Sequence, residues 1–486
     1  MKRIKNTILL LLVVLLFGAC QKEKVATLTL DHTALYFSSW KSQPQTIRYT
    51  SHNAQSVVVS TVSDGWAALV DHAKRTITVT AVGKSSEEAE EPSTEGALVI
   101  DAITSTGERT TYYIYLYMLG KESKQLDAEG KANCYVVTEA RRNYTFDAMH
   151  RPDGEALATT KVALLWQSDN SIVNNVGLID GKAEFYVENA EDALLDSVTD
   201  ANAVIAAYDA SGAVVWSWHI WVVGSNPLTA TANPQSGVTF MDRNLGAYSG
   251  NYEASSKPED VLAAYGLYYQ WGRKDPFARP YFYDAAGAES EMMYGASGAY
   301  VENTTKEVSS QIGTIAYATA YPMTFITNAA SIEEDGDGIG DWLFKADNAL
   351  WNDNAKSVQD PCPYGWRVPR ASELATLSLA SDNTADLDTA RKQYGWYLER
   401  GSERYFFSAC GYRRYTDGKI QNVNYSDAYP YNPEPWEGYY WSSTADDNGL
   451  AVSLHFDLIT TRSLAHFEAN SPSRRANGMQ VRCVKE

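Results

Sequence analysis

The sequence predicts a mainly β protein in which two β-sandwiches precede a C-terminal region of α+β type. Three observations support this fold class. Short runs rich in β-branched and aromatic residues, separated by polar turns, recur through the first 224 residues. Tyrosine and tryptophan are abundant, with 32 and 13 copies among 486 residues, and both favour strands. Beyond residue 237 the runs become fewer, and Gly, Tyr, Asn and Asp are frequent in long loops.

The N-terminus has the pattern of a secretory signal. Lys2, Arg3 and Lys5 precede an apolar run over residues 8–17, which is too short for a permanent membrane helix. The stretch "LFGAC" then resembles a bacterial lipobox, which implies a signal peptide over 1–19 and lipidation, such as palmitate, at Cys20. Residues 20–24 are the lipid anchor and tether, and "QKEK" resembles tags that route Bacteroidetes lipoproteins to the cell exterior. The alternative is an ordinary signal peptide with a chance cysteine.

Charge excludes one class of partner. The formal net charge of the chain is −19 at pH 7. A chain this acidic repels nucleic acid and anionic lipid headgroups, so we expect no nucleic-acid partner. We expect the mature chain to be held at the outer membrane by its lipid and to face the exterior.

Residues 25–120 predict a first sandwich. About seven strand-like runs follow one another there, a rhythm typical of immunoglobulin-like (Ig-like) sandwiches. The stretch "SDGWAALVDHAKRTITVTA" resembles BACON domains, the Bacteroidetes-associated carbohydrate-binding, often N-terminal domains. The acidic stretch over residues 87–95 is most simply a solvated hairpin tip.

A polar linker over residues 120–129 leads into a second predicted sandwich, residues 126–224. Its last strand, "VVWSWHIWVV", has an unusual set of tryptophans. Alternation places Trp216, Trp218 and Ile220 on one face, with Ser217, His219 and Trp221 on the other. A strand buried at a domain junction is one interpretation, and an aromatic sugar-binding strip is the other.

The last region, residues 228–486, contains an ordered series of motifs. They are "MDRNLGA", "YGLYYQWGRKDPF", "DWLFKADNALWND", "DPCPYGWRVPRASEL", "GYYWSST", "AVSLHF" and "RRANGMQVRCVKE". This series resembles the Fibrobacter succinogenes major paralogous domain, which is similar in pattern to the C-type-lectin-like fold. The resemblance covers about half the chain and implies a C-type-lectin-like head without an assigned catalytic role.

The resemblance also implies a disulfide between Cys362 and Cys483. Pro361 and Pro363 fix the backbone around Cys362, which precedes a helix starting near Ala371 that Ser372 could cap. A bridge closing a loop of about 120 residues is worth roughly 4–5 kcal/mol in the chain-entropy model. Two reduced, buried thiols are the alternative. Cys410 is predicted to be a small core residue, and the sequence does not determine whether Cys134 forms a disulfide.

Two stretches of this region are ligand candidates. Asp335, Asp337 and Asp341 alternate with glycines as in calcium loops, although the EF-hand pattern is incomplete and a plain polar turn is the alternative. The proline- and aromatic-rich stretch over residues 425–441 offers stacking area to a glycan or peptide. Its candidate ligand-binding residues are Tyr429, Tyr431, Trp436 and Tyr439. The alternative is a long loop packed on itself.

No enzyme signature is present. The sequence lacks HExxH, GxSxG, P-loop and strand-linked GxGxxG motifs, and its histidines are scattered. We therefore expect a non-enzymatic surface lipoprotein whose head binds a glycan or a host or surface protein, in adhesion and at the tip of a fimbria. The competing hypothesis is a structural subunit of a fimbrial, surface or polysaccharide-uptake complex with no ligand of its own.

Overall fold

The computed structural model describes residues 25–191, 195–229, 237–250, 262–280, 290–329, 340–379, 395–421, 437–446, 449–457 and 466–486. The fold is mainly β, as predicted. The chain divides into two compact units, residues 1–122 and 123–486. None of the helices in the described ranges is long and apolar enough to cross a membrane.

The first unit is a sandwich of two four-stranded sheets, ordered β1-β3-β6-β5 and β2-β8-β7-β4. All neighbours are antiparallel except β2 and β8, which run parallel. This is the strand order of Ig-like domains. The strands are β1 (Thr27–Leu30), β2 (Ala34–Phe37), β3 (Gln45–His52), β4 (Ser56–Val62), β5 (Trp66–Asp71), β6 (Thr76–Ala81), β7 (Glu95–Ile103) and β8 (Arg109–Met118).

Alternation explains these strands. In β6 every second side chain is buried, and the inward residues of both sheets form one core. The sequence predicted seven strands here and missed β5. Its stretch "WAALVD" is short and alanine-rich, and its Trp66 is buried against Trp40 with the rings 4.8 Å apart.

The second unit begins with another sandwich. Its sheets contain the strand orders β9-β11-β14-β13 and β10-β16-β15-β12. The strand-like runs of this region form strands, and the structure adds β9 inside the predicted linker. The strands are β9 (Lys124–Gln125), β10 (Cys134–Val137), β11 (Arg142–Asp147), β12 (Lys161–Gln167), β13 (Val173–Ile179), β14 (Lys182–Val187), β15 (Ala201–Tyr208) and β16 (Val214–Val222).

In its described ranges, the rest of the second unit contains mostly short strands and two short helices. A 3-10 turn at Pro227–Thr229 precedes it, and the helices are α1 (Ile315–Ala320) and α2 (Ala371–Leu374). Its strands are β17 (Tyr269–Gln270), β18 (Met293–Tyr294), β19 (Tyr300–Val301), β20 (Thr304–Glu307), β21 (Thr324–Thr327), β22 (Trp366–Arg367), β23 (Ser378–Leu379), β24 (Gly395–Arg400), β25 (Glu403–Ser408), β26 (Tyr412–Arg413), β27 (Ile420–Gln421), β28 (Glu437–Ala445), β29 (Ala451–Asp457), β30 (His466–Ser473), β31 (Gly478–Met479) and β32 (Val484–Lys485).

These strands form several small sheets. Two of them, β28-β29-β30 and β17-β31-β26-β27, position the residues discussed below. The smaller sheets are β23-β24-β25, β20-β21 and β22-β32. Strands β18 and β19 instead extend the second sandwich, because β18 pairs with the edge strand β12 through Tyr294 and Gln167.

The second sandwich and the following residues also share a core. Trp166, Val204 and Trp221 of the sandwich pack in one buried cluster with Leu267 and Trp271. The opposite face of β16 packs into the sandwich's own core through Trp216 and Trp218. Strand β16 is therefore buried on both faces.

The helix after Cys362 forms as predicted but is capped differently. Arg370 is its N-cap, and the backbone N–H of Arg370 donates to Glu373 Oε2 at 2.8 Å. Arg367 holds the same carboxylate with two hydrogen bonds of 2.8 and 2.6 Å. Ser372 lies inside the helix, so its predicted capping role is wrong; Glu373 supplies the acceptor instead.

Candidate functional site

One of the predicted ligand residues, Tyr439, lies in a polar aromatic cluster at one end of the sheet β28-β29-β30. Antiparallel pairing of β28 with β29 places Tyr439 opposite His455. Tyr412 of β26 approaches because Gly411 bridges to Gly438, where a Cβ would lie 2.3 Å from the Phe456 ring. Glycine at 438 therefore permits the close packing. We call Tyr412, Glu437, Tyr439 and His455 the Tyr439 patch.

The geometry of the patch is well defined. The rings of Tyr439 and His455 stack with centroids 4.4 Å apart and planes 17° apart. Tyr412 meets Tyr439 edge-on at 4.8 Å. One carboxylate oxygen, Glu437 Oε2, accepts a hydrogen bond from the Tyr439 hydroxyl and lies 3.2 Å from His455 Nε2. A single carboxylate thus fixes both stacked rings.

The patch combines a buried carboxylate with half-buried aromatic rings. Glu437 is buried, whereas the two tyrosines and His455 are half-buried. Burial, together with the negative charge of Glu437, raises the pKa of Tyr412, so its phenol stays a neutral hydrogen-bonding group. A rigid aromatic surface with polar tips suits a sugar ring or an aromatic or extended peptide, because little side-chain entropy is lost on binding.

Two charged elements lie near the patch. Arg414 pairs with Asp417, and both charges act on the pKa of Tyr412. The exposed Glu468 of β30 lies opposite His455 in the sheet.

The other predicted ligand residues, apart from Asp341, lie outside the part of the chain that the structure describes. Tyr429, Tyr431 and Trp436 lie outside the described residues, as do Asp335, Asp337 and the lipidation residue Cys20. Their assignments stay predictions. Gln421 and Glu437 are the described residues that flank residues 422–436, and both lie beside or in the Tyr439 patch.

Of the three residues predicted to bind calcium, only Asp341 lies in the described ranges, and the calcium site stays a prediction. The Asp341 carboxylate is almost fully buried, with Oδ2 3.5 Å from Arg475 Nη1 and Oδ1 accepting the Leu343 N–H at 2.9 Å. Burial raises the pKa of Asp341 to about 6, and Arg475 opposes this rise. No group of three or more His, Cys, Asp or Glu able to hold a metal occurs in the described ranges.

The predicted disulfide between Cys362 and Cys483 is confirmed, with Cα atoms 6.1 Å apart. Two charged side chains hold the loop around Cys362. The Asp360 carboxylate accepts the backbone N–H groups of Cys362 and Val368 at 2.8 and 2.9 Å. Lys356 Nζ donates to Asp360 and to the carbonyls of Cys362, Pro363 and Trp366. This loop is a structural clamp.

The tryptophan strand is the junction strand and not a sugar-binding strip. Trp216, Trp218 and Trp221 are each at most 2% exposed. Lys274 Nζ reaches Ser217 Oγ and Asp275 Oδ1 at 2.5 and 2.6 Å, and Asp275 accepts the Ser217 hydroxyl at 2.5 Å. This buried network joins the sandwich to the C-terminal residues.

A second buried network involves Cys134 and His219. His219 Nδ1 is 3.3 Å from Cys134 Sγ, and Nε2 is 2.9 Å from Asn202 Oδ1. Burial lowers the pKa of His219 to about 3 and raises that of the Cys134 thiol. Both groups are therefore neutral, and no thiolate–imidazolium pair of the kind used by cysteine nucleophiles forms. Asn202 Nδ2 donates onward to the Gly246 carbonyl at 2.9 Å.

The sequence pattern indicated Tyr439 but not the side chains that contact it. Glu437 lies inside the aromatic-rich stretch over residues 425–441, and His455 lies in the strand-like run "AVSLHF". The signal that could have joined them is cross-strand register, since both "GYYWSST" and "AVSLHF" predict strands. Register between two strands joined by a short turn places their side chains in pairs.

No protein-family model matches the chain, and no curated protein matches it. Solved structures with some likeness include the Bacteroides ovatus mixed-linkage glucan utilization locus SGBP-B in complex with a mixed-linkage heptasaccharide (10% identity, TM-score 0.13). That match covers 39% of this chain and 43% of the other, so it spans less than half of that protein.

Two further likenesses are similarly distant. SporoSAG from Toxoplasma gondii is 11% identical over 40% of this chain and 96% of the other, with a TM-score of 0.13. The Clostridium thermocellum CbhA fibronectin(III)-like modules are 14% identical over 40% and 93%, with a TM-score of 0.12. Likenesses this distant transfer no ligand or partner to this chain.

Proposed function

We propose that this chain is a non-enzymatic lipoprotein of the bacterial outer-membrane surface whose C-terminal region binds a glycan or protein ligand through the Tyr439 patch. The observation that carries this proposal is the stack of Tyr439 on His455, fixed by Glu437. Pre-arranged aromatic side chains with polar tips are typical of surfaces that bind sugars and peptides.

The motif series supports the proposal from the sequence side. Residues 228–486 resemble the Fibrobacter succinogenes major paralogous domain, and we propose a C-type-lectin-like head built on that pattern. The strand "GYYWSST" of the series contributes Tyr439, and "AVSLHF" contributes His455. Two of the motifs therefore meet at the patch.

Binding is tested with arrays of glycans and host-matrix proteins probed with the chain from residue 21 onward. We expect a defined set of ligands whose signal falls at least tenfold on Tyr439→Ala. Tyr439→Phe keeps the ring and loses the hydroxyl bond to Glu437, so we expect an intermediate loss. Tyr321→Ala is the matched control, because Tyr321 is 54% exposed elsewhere in the same unit.

The outcome also separates the two functional hypotheses. Binding that is unaffected by Tyr439→Ala would contradict the patch as the site. No binding by a folded, disulfide-bonded chain would favour the structural-subunit hypothesis, which co-purification with other surface proteins then tests.

The anchor is tested separately. Cys20 is the last residue of the lipobox-like stretch, so cells expressing the chain should incorporate a fatty-acid analogue into it. Cys20→Ala should abolish that incorporation and release the chain from the membrane fraction. Protease added to intact cells should degrade the anchored chain if it faces the exterior.

A further inference from the structure

The outer face of the sheet β2-β8-β7-β4 carries an exposed row of tyrosines. Alternation along β8 places Tyr113, Tyr115 and Tyr117 on this face, while Ile114 and Leu116 are buried in the core. Tyr113 and Tyr115 are 56% and 54% exposed. Tyr117 stacks on Tyr36 of the neighbouring strand with centroids 5.1 Å apart. Three successive tyrosines on one strand form a ridge.

A shallow trough runs beside the ridge. In β7, Val99 lies opposite Tyr113 and Ala97 opposite Tyr115. Both side chains are short and half-buried, so the tyrosine rings stand higher than the neighbouring strand. A two-fold axis that crosses the strands at Tyr113 would set the tyrosine ridges of two copies against each other, trough beside trough.

The charges at the two ends of the face are complementary. The exposed Glu95 lies opposite Tyr117 at one end. Arg109, with a side chain 63% exposed, begins the strand at the other end, where it is 3.4 Å from Asp101. Arg109 and Tyr117 lie four residues to either side of Tyr113. A two-fold axis across the strands at Tyr113 therefore brings Arg109 of one copy to the level of Tyr117 in the other, one strand away from Glu95.

The second sandwich shows that this face of the fold can be covered. Its corresponding sheet contains β10-β16-β15-β12, and the outward residues of β16 are buried under the C-terminal part of the unit. Trp221 and the network of Ser217 with Lys274 occupy that face. In the first sandwich the corresponding strand presents tyrosines, which suit reversible interfaces because each ring has a polar tip.

We propose that the tyrosine face of the first sandwich binds a second copy of this chain, with the two sheets packed face to face about a two-fold axis at Tyr113. The sheet is about 19 Å wide and about 30 Å long, from the usual strand spacing and rise. It offers roughly 500–600 Å² per copy, below the about 800 Å² of a standard interface. The dimer is therefore weak, with a dissociation constant of about 10–100 µM.

Sedimentation equilibrium of the chain from residue 21 onward tests the association. Loadings from about 1 to about 200 µM bracket the expected dissociation constant. We expect reversible dimerisation across that range. A strictly monomeric chain at the highest loading would overturn the proposal.

Cross-linking tests the axis. Tyr113→Cys should form an intermolecular disulfide under mild oxidation, because Tyr113 of each copy lies at the two-fold axis. Leu69→Cys is the matched control: Leu69 is 72% exposed on the other sheet of the same sandwich. Equal cross-linking of the two variants would contradict the proposed face.

A charge exchange tests the orientation. Glu95→Arg places like charges together and should weaken dimerisation about threefold to tenfold. Combining Glu95→Arg with Arg109→Glu restores opposite charges and should recover most of the loss. Thermal unfolding of each variant checks that the sandwich still folds. Failure of the double variant to recover, with folding intact, would contradict the two-fold arrangement.

Discussion

The two sandwiches have the same strand order but use one sheet differently. Numbered from its own first strand, each has sheets ordered 1-3-6-5 and 2-8-7-4. They differ in the direction of the first strand, which is antiparallel to its neighbour in the first sandwich and parallel in the second. The larger difference is the outer face of the second sheet, which is exposed in one sandwich and covered in the other.

The last strand of each sandwich shows the difference in its sequence. In β8 the outward tyrosines alternate with buried apolar residues. In β16 the last seven residues are all buried, and β15 is buried over its first seven. A strand covered on both faces loses the alternation of a half-exposed strand. The same topology therefore serves as a surface or as an interior, according to what covers its outer face.

The largest contrast is expected from truncating one outward-facing aromatic residue in each sandwich. Trp221→Ala removes a fully buried indole whose Nε1 donates to the Ala247 carbonyl at 3.1 Å, and should cost about 3–5 kcal/mol. Tyr115→Ala should change stability by about 0.5 kcal/mol or less at low protein concentration. Chemical denaturation followed by circular dichroism measures both, and equal costs would mean that the two faces do not differ in this way.

The next largest effect concerns the disulfide. The first unit contains no cysteine between residues 25 and 122, whereas the second is closed by Cys362–Cys483. Replacing both cysteines by serine should lower the stability of the second unit by about 2–4 kcal/mol. The unfolding transition of the first unit should not move. A shift of both transitions would show that the two units unfold together.

A smaller effect follows from the titration of His219 on the covered face. The folded chain holds the pKa of His219 at about 3, below its ordinary value of about 6.5. The unfolded chain therefore binds a proton that the folded chain does not, and stability falls as pH falls below 6.5. Between pH 7 and pH 4.5 this loss is about 2–3 kcal/mol.

The control for that titration is His219→Gln, which keeps a donor and an acceptor without titrating. Asp341 and Glu184 have pKa values raised to about 6, so these two groups stabilise the folded chain as the pH falls. The pH profile of the variant must therefore be compared with that of the native chain. We expect the variant to lose less stability on acidification. Parallel pH profiles would contradict a neutral, buried His219.

Local patterns predicted most of the sandwich strands. Runs such as "KVALLWQ" and "TITVTA" alternate clearly and form β12 and β6. Strand β9 was missed because Lys124 and Gln125 are exposed and pair only through their backbone with β11. Such a strand leaves no hydrophobic pattern to detect.

The joining of the second sandwich to the C-terminal region was less predictable. Alternation around Trp218 identified the two faces of β16, but a pattern of burial does not say which residues cover a face. The bonds of Asn133 to the carbonyls of Val358 and Asp360 join residues more than 200 positions apart. Contacts of that separation depend on the whole fold, which is also why Glu437 and His455 were not recognised beside Tyr439.

The most direct test of the account compares ligand affinity between the two regions. One ligand from the array is titrated against the native chain, Tyr439→Ala and Tyr115→Ala by calorimetry at protein concentrations below about 1 µM, where dimerisation is slight. The account predicts at least tenfold weaker binding for Tyr439→Ala and unchanged binding for Tyr115→Ala. Loss of binding on Tyr115→Ala with Tyr439→Ala unaffected would place the site on the first sandwich and contradict the account.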